Sequence, residues 1–252
     1  KLGIIQLSIQ EGNIEKNCAH IEELVRNHSS DDIDLLCFPE LCISGYNFEK
    51  AIISDREALF FSELASKYKI AIMAGINKKE GNQHYDVACI WDETGTLLGE
   101  YKKIHLWDKE NDFFAKGEEL VTVSFKGWTI GLLICADFGF SELAKSLALK
   151  KNADVIMYPS AWNPGWDYLF SGCSSIRAAE NQVYTVGLNR ASGDVEYCGN
   201  TTVSNPDGTT LARLCTSEES YTRVVLKKEC LEKAKETIPW RLMRREEVYN
   251  KI

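Results

Sequence analysis

Three short stretches place reactive side chains where an apolar run stops. Cys135 closes "WTIGLLIC" (128–135), Glu40 follows "IDLLCFP" (33–39), and Lys102 and Lys103 end "LLGEYKK" (97–103). A cysteine at a strand-to-helix junction can face free backbone N–H groups, which would lower the thiol pKa and hold an oxyanion. A glutamate at a strand end can serve as a general base, and a lysine can supply positive charge. Read one at a time, the three sites also fit ordinary roles: a small buried hydrophobe, a solvated loop carboxylate and a basic surface pair. A thiol with a pKa of about 8.5 is only a few per cent thiolate at pH 7, so nucleophilic chemistry at Cys135 requires an activating partner.

The elements that would position these residues alternate along the chain. "KLGIIQLSIQ" (1–10) alternates as a strand, and Asn13 is an N-cap for a helix in which Ile14, Cys18, Ile21, Val25 and His28 recur. A buried strand over 33–40 stops at Pro39, a helix covers 55–68, and "KIAIMAGI" (69–76) reads as a strand. Residues 87–101 and 201–214 share one hairpin-like pattern, two β-prone runs around an acidic turn with glycine. After the strand ending at Cys135, a helix over 141–151 is expected with Ser141 as its cap. A strand over 153–160, a helix over about 166–181 and strands over 182–189 and 221–228 follow. No linker-like composition divides the chain, so residues 1–252 are expected to form one α/β domain of helices layered on sheets.

Bulk properties narrow the functional classes. The net charge of −8 opposes a general nucleic-acid-binding role. The nine cysteines are odd in number and show no CxxC spacing, and there are only four histidines, so neither a disulfide framework nor a metal site is expected. No leader-like segment and no run of membrane-spanning length is present, and the expectation is a cytoplasmic protein without a membrane partner.

Taken together and in order, "FPELCISGY" (38–46), "YKKIHL" (101–106), "ENDFFAKG" (110–117) and "LLICADFGFSE" (132–142) resemble the carbon–nitrogen hydrolase (nitrilase) superfamily, in its amidase-like branch. "YPSAW" (158–162), "IRAAENQVYTVGLNR" (176–190), "CGNTTVSNPDG" (198–208) and "IPWRLMRREEVY" (238–249) extend the similarity over almost the whole chain. The resemblance implies a four-layer α-β-β-α sandwich that dimerises or forms a higher homo-oligomer, with the tail from about 230 to 252 in the dimer contacts. It implies a Glu–Lys–Cys triad of Glu40 as base, Lys103 and Cys135 as nucleophile, supported by Glu110. Lys103 is preferred to Lys102 because it stands two positions before His105, as the family's lysine does.

The implied reaction is hydrolysis of a small linear amide or carbamoyl-amine through a cysteine thioester, as in omega-amidases and N-carbamoyl-amine hydrolases, with no cofactor. Lys103 and the Ala136 N–H would hold the oxyanion, and Glu110 would orient the lysine. Ala136, Tyr46, Trp162 and Asn163 are the expected pocket residues. Ala136 and Gly139 depart from the aromatic residue and the arginine common there, which bears on the substrate rather than on the triad. Trp107 and Phe114 fit pocket or packing roles, and Arg177 with Glu180, three apart on a helix, reads as a structural ion pair. A nitrilase or acyl transferase on the same fold, and a catalytically silent binding partner, are the alternatives.

Overall fold

A computed structural model describes residues 1–48 and 56–249. Its twelve described strands form two six-stranded sheets. The first contains β1 (Leu2–Gln6), β2 (Leu35–Cys37), β3 (Ala71–Glu80), β4 (Gln83–Trp91) and β5 (Leu97–Lys102). The second contains β6 (Val121–Phe125), β7 (Trp128–Leu132), β8 (Val155–Ser160), β9 (Tyr184–Asn189), β10 (Thr202–Ser204) and β11 (Thr210–Arg213). The last strand, β12 (Ser220–Val224), returns to pair antiparallel with β1, so the orders are β12-β1-β2-β3-β4-β5 and β11-β10-β9-β8-β7-β6.

The period-two alternation of strand side chains explains the layering. In the first sheet Ile4, Leu35, Met73 and Ile90 join one apolar core with Leu132, Met157, Val186 and Leu188 of the second sheet. Their neighbours Ile5, Leu36, Ile72, Ala74 and Cys89 turn the other way, onto Ile21 and Val25 of helix Ile14–His28 and Phe61 and Leu64 of helix Glu57–Tyr68. Helices Ser141–Lys150 and Asp167–Asn181 add Leu147 and Phe170 to the core of the second sheet. The result is the four-layer α-β-β-α sandwich.

Most sequence expectations fall on observed elements. The Asn13 side chain accepts a hydrogen bond from the Lys16 N–H at 3.4 Å and caps its helix. The helix expected over 55–68 is described from Glu57, and residue 55 lies outside the described residues. Ser141 is not a cap. It is the first helical residue, Phe140 stands at the cap position, and the Ser141 hydroxyl instead contacts the Glu142 carboxylate at 3.4 Å. Strand β6, "VTVSF", which is not among the expected strands, turns at Lys126 and Gly127, both with positive φ, to pair antiparallel with β7.

Candidate active site

Each reactive residue sits where a strand gives way to a loop. Glu40 follows β2, Lys103 follows β5, and Cys135 opens a 3-10 helix, Cys135–Gly139, shortly after β7. Glu40 and Cys135 follow strands of different sheets and are brought together as the sheets pack. Backbone in the left-handed region marks the site at Leu41 (φ 44°), Asp108 (φ 44°) and Cys135 (φ 43°). For a residue other than glycine this conformation costs roughly 1–2 kcal/mol, and it persists only where surrounding packing imposes it. Here it aims Cys135 away from the strand direction.

Lys103 is the centre of the cluster and is fully buried. Its ammonium donates to Glu40 Oε1 at 2.6 Å and to Glu110 Oε1 at 2.8 Å, and lies 3.2 Å from Asp86 Oδ2. Lys102, one position earlier on the opposite face, instead pairs with Glu80 at 2.6 Å near the surface and lies over the Tyr85 ring. The alternation of the strand thus decides which lysine enters the site. The carboxylates of Glu40, Asp86 and Glu110 could together surround a cation, and the Lys103 ammonium takes that place.

Burial sets the protonation of the group. Desolvation pulls the Lys103 ammonium down, but the charges of Glu40 and Asp86, with Cys135 and Glu110, hold it well above the ordinary lysine value. Burial pushes the Asp86 carboxyl far up, with Lys103 opposing and Glu40 and Glu110 raising it further. Burial also raises Glu110, opposed by Lys103.

The Cys135 thiol is raised well above its ordinary value, by burial first and then by Glu40, with Lys103 opposing. This corrects the expectation of a thiol lowered by backbone N–H groups. The Ala161 N–H does favour the thiolate, but desolvation outweighs it. A neutral thiol beside a carboxylate follows. Glu40 Oε1 accepts from Lys103, the buried Oε2 receives no N–H or hydroxyl donor among the described residues, and the Asp86 carboxyl stands within hydrogen-bond reach of the Glu40 carboxylate.

Around this cluster lies scaffolding that sequence inspection did not single out. Glu110 accepts from the Tyr46 hydroxyl at 3.0 Å and, through Oε2, from the Trp107 N–H at 2.8 Å. Behind Tyr46, Glu11 accepts from the Tyr46 N–H at 2.5 Å, from Arg190 at 2.5 Å and from the Tyr197 hydroxyl at 3.0 Å. Arg190 is buried after β9 of the second sheet, so this pair ties the two sheets beside the site. Asp137, two residues past the cysteine, accepts from the Tyr101 hydroxyl at 2.7 Å, the Ile134 N–H at 3.0 Å and His105 Nδ1 at 2.9 Å, fixing the 3-10 helix to the lysine loop. Asp86 and Glu11 carried no local signal, because only pairing and packing bring them near Lys103 and Tyr46.

A cavity of about 850 Å³ opens above Cys135, and Tyr46, Ala136, Trp162 and Asn163 all line it. Glu110 lines it as well, while Glu40 and Lys103 lie behind the lining. Trp107 is in the wall, whereas Phe114 packs edge-on against Phe48 with centroids 5.3 Å apart. Arg177 pairs with Glu180 at 2.9 Å and donates to the Phe138 carbonyl at 3.1 Å, a structural role as expected. All nine cysteines are free thiols. Among the described residues no helix is long and apolar enough to cross a membrane.

A sandwich of two six-stranded sheets, with a buried carboxylate–lysine cluster beside a cysteine at the floor of a cavity, defines a class of hydrolase. The family model described as carbon-nitrogen hydrolase matches residues 1–233, and the chain belongs to that family. A nitrilase of Pyrococcus abyssi is 32% identical over 231 residues, covering 87% of this chain and 86% of the relative. An omega-amidase of Homo sapiens is 29% identical over 276 residues, covering 99% and 96%. A carbon-nitrogen hydrolase from Helicobacter pylori shares the fold at a TM-score of 0.89 and 21% identity, over 99% of this chain and 96% of that one. An amidase from Nesterenkonia sp. does so at 0.86 and 23%, over 99% and 95%. The chain is therefore an enzyme of the carbon–nitrogen hydrolase family.

Proposed function

We propose that the protein hydrolyses a small linear amide or carbamoyl-amine through a thioester on Cys135, with Glu40 as the base and Lys103 as the electrostatic partner. The observation that carries the reading is the buried Lys103 ammonium, 2.6 Å from one oxygen of Glu40, beside a cysteine on strained backbone. As the sulfur attacks the carbonyl carbon, Glu40 takes the thiol proton. The negative charge that develops on the carbonyl oxygen is stabilised by Lys103 and the Ala136 N–H. Glu40 then returns the proton to the departing nitrogen, the C–N bond breaks, and ammonia or amine leaves a thioester. Water attacks that thioester, giving its proton to Glu40. The tetrahedral intermediate collapses, the proton passes to the sulfur, and the acid is released with a free thiol.

Glu110 supports this chemistry by holding Lys103 and by receiving the Tyr46 hydroxyl and the Trp107 N–H. The names nitrilase, omega-amidase and amidase among the relatives support carbon–nitrogen chemistry at this site. Homodimerisation involving the C-terminal segment is part of the reading, supported by the exposed apolar side chains of Trp240, Leu242 and Met243.

The test is ammonia release from aliphatic amides, dicarboxylate monoamides and carbamoyl-amines, with the matching nitriles as controls. We expect turnover of an amide and not of its nitrile, and Cys135→Ala should abolish it while the circular dichroism spectrum stays native. Wild-type turnover by Cys135→Ala would remove the thioester mechanism. Nitrile turnover without amide turnover would favour the nitrilase alternative.

A further inference from the structure

The cavity holds more than the reacting group of a small amide requires. At about 850 Å³ it lies toward the upper end of small-molecule sites, which run from roughly 300 to 1,000 Å³. One wall is a file of three indoles. Trp162 packs edge-on to Trp166 with centroids 5.9 Å apart, and Trp166 packs edge-on to Trp107 at 5.7 Å. Trp162 is buried, whereas Trp166 is 40% and Trp107 53% exposed. Phe140, stacked on His105 at 3.4 Å, provides a further aromatic edge. A contiguous apolar surface left open at the mouth of a reactive cavity gains free energy when a ligand covers it.

The charged groups limit what that ligand can be. Lys103 is already surrounded by Glu40, Glu110 and Asp86. His105 Nδ1 is held by Asp137, and the Arg190 guanidinium, outside the cavity lining, is held by Glu11 and Tyr197. The remaining lysine of the lining, Lys116, is exposed to water, where an ion pair is worth at most about 1 kcal/mol. A carboxylate carried by the substrate would meet Glu110 and Asp108 in the same lining without a buried cation to compensate. Beside the cysteine the floor is deliberately small: Ala136 lines it, and a Cβ added at Gly139 would meet no atom within 4 Å.

The geometry points to an amide whose variable part is a flat apolar group, seated against Trp107, Trp162 and Trp166, in preference to one carrying a carboxylate. This inference rests on the amidase reading of Cys135 and names its substrate class.

Its test uses isothermal titration calorimetry on the inert Cys135→Ala protein with phenylacetamide and succinamate. Phenylacetamide should bind at least about tenfold more tightly than succinamate, and Trp166→Ala or Trp107→Ala added to that background should weaken it by about three- to tenfold. Trp166→Phe should restore most of the loss, which a general folding defect would not allow. Equal or tighter binding of succinamate would overturn the inference, as would an unchanged phenylacetamide affinity in both tryptophan variants. Ammonia release by the wild-type enzyme separates the two levels. Preferential binding of phenylacetamide with no turnover of any amide would remove the proposed reaction and leave the binding class. Turnover with succinamate bound more tightly would retain the reaction and remove the class.

Discussion

At the scale of single residues, the proposed chemistry turns on the Glu40 carboxylate. Oε1 accepts from Lys103 at 2.6 Å, which holds the group in place, and in the proposed reaction the carboxylate exchanges a proton with sulfur and nitrogen. Removing the base without changing the shape tests this role. Glu40→Gln should lower kcat by about 10²–10⁴-fold, the range expected for loss of a positioned general base. The Michaelis constant should change less, because the side chain lies behind the cavity lining. Steady-state ammonia release checks both parameters, and an unaltered kcat would take the base role from Glu40. The candidates at these positions come from the resemblance of the ordered motifs, with Lys103 preferred to Lys102 by its spacing to His105. The raised thiol was not legible in the sequence, because desolvation depends on what surrounds Cys135 in three dimensions.

At the scale of elements, strand ends and the glycines beside them set the reacting atoms. Gly75 in β3 donates to the Pro39 carbonyl at 3.1 Å, and its carbonyl accepts from the Cys42 N–H at 3.0 Å, cradling the segment that carries Glu40. A Cβ at position 75 would stand 2.5 Å from the Glu40 Cα and 2.9 Å from the Pro39 oxygen, both backbone atoms that cannot swing aside. Gly75→Ala should therefore displace Glu40. We expect kcat to fall at least about tenfold and stability to drop by about 1–3 kcal/mol, measured by ammonia release and urea unfolding. A variant of native activity would show that this close approach does not position the base. Period-two patterning made the strands legible, yet it left open which glycine touches which loop, since β2 and β3 pair across an intervening helix.

At the scale of the whole molecule, buried charge away from the cavity shapes the dependence of stability on pH. Glu57, the first residue of helix Glu57–Tyr68, is buried, accepts from the Asn77 N–H at 3.0 Å, and is pushed by burial from an ordinary value of 4.5 up to about 8. Between those values the folded protein keeps the proton that the unfolded chain has released. Stability is thus fully supported below about pH 4.5, falls as pH rises, and levels off above about pH 8. Glu57→Gln should flatten this fall, so that its melting temperature relative to wild type is more favourable at pH 8 than at pH 5. Parallel slopes from thermal melts across that range would exclude the assignment. Much of the architecture could be inferred from the chain alone: apolar alternation dictates strands, caps and spacing dictate helices, and several ordered motifs point to the family. Folding decided what these local signals cannot encode. It brought Glu40 and Cys135 together from different sheets, admitted Lys103 and excluded Lys102, recruited Asp86 and Glu11, and set Trp107 beside the remote pair Trp162 and Trp166. Local sequence sets backbone preference and the face a side chain occupies. Distances between elements remote in sequence, and the dielectric around a buried group, arise only when the sheets pack.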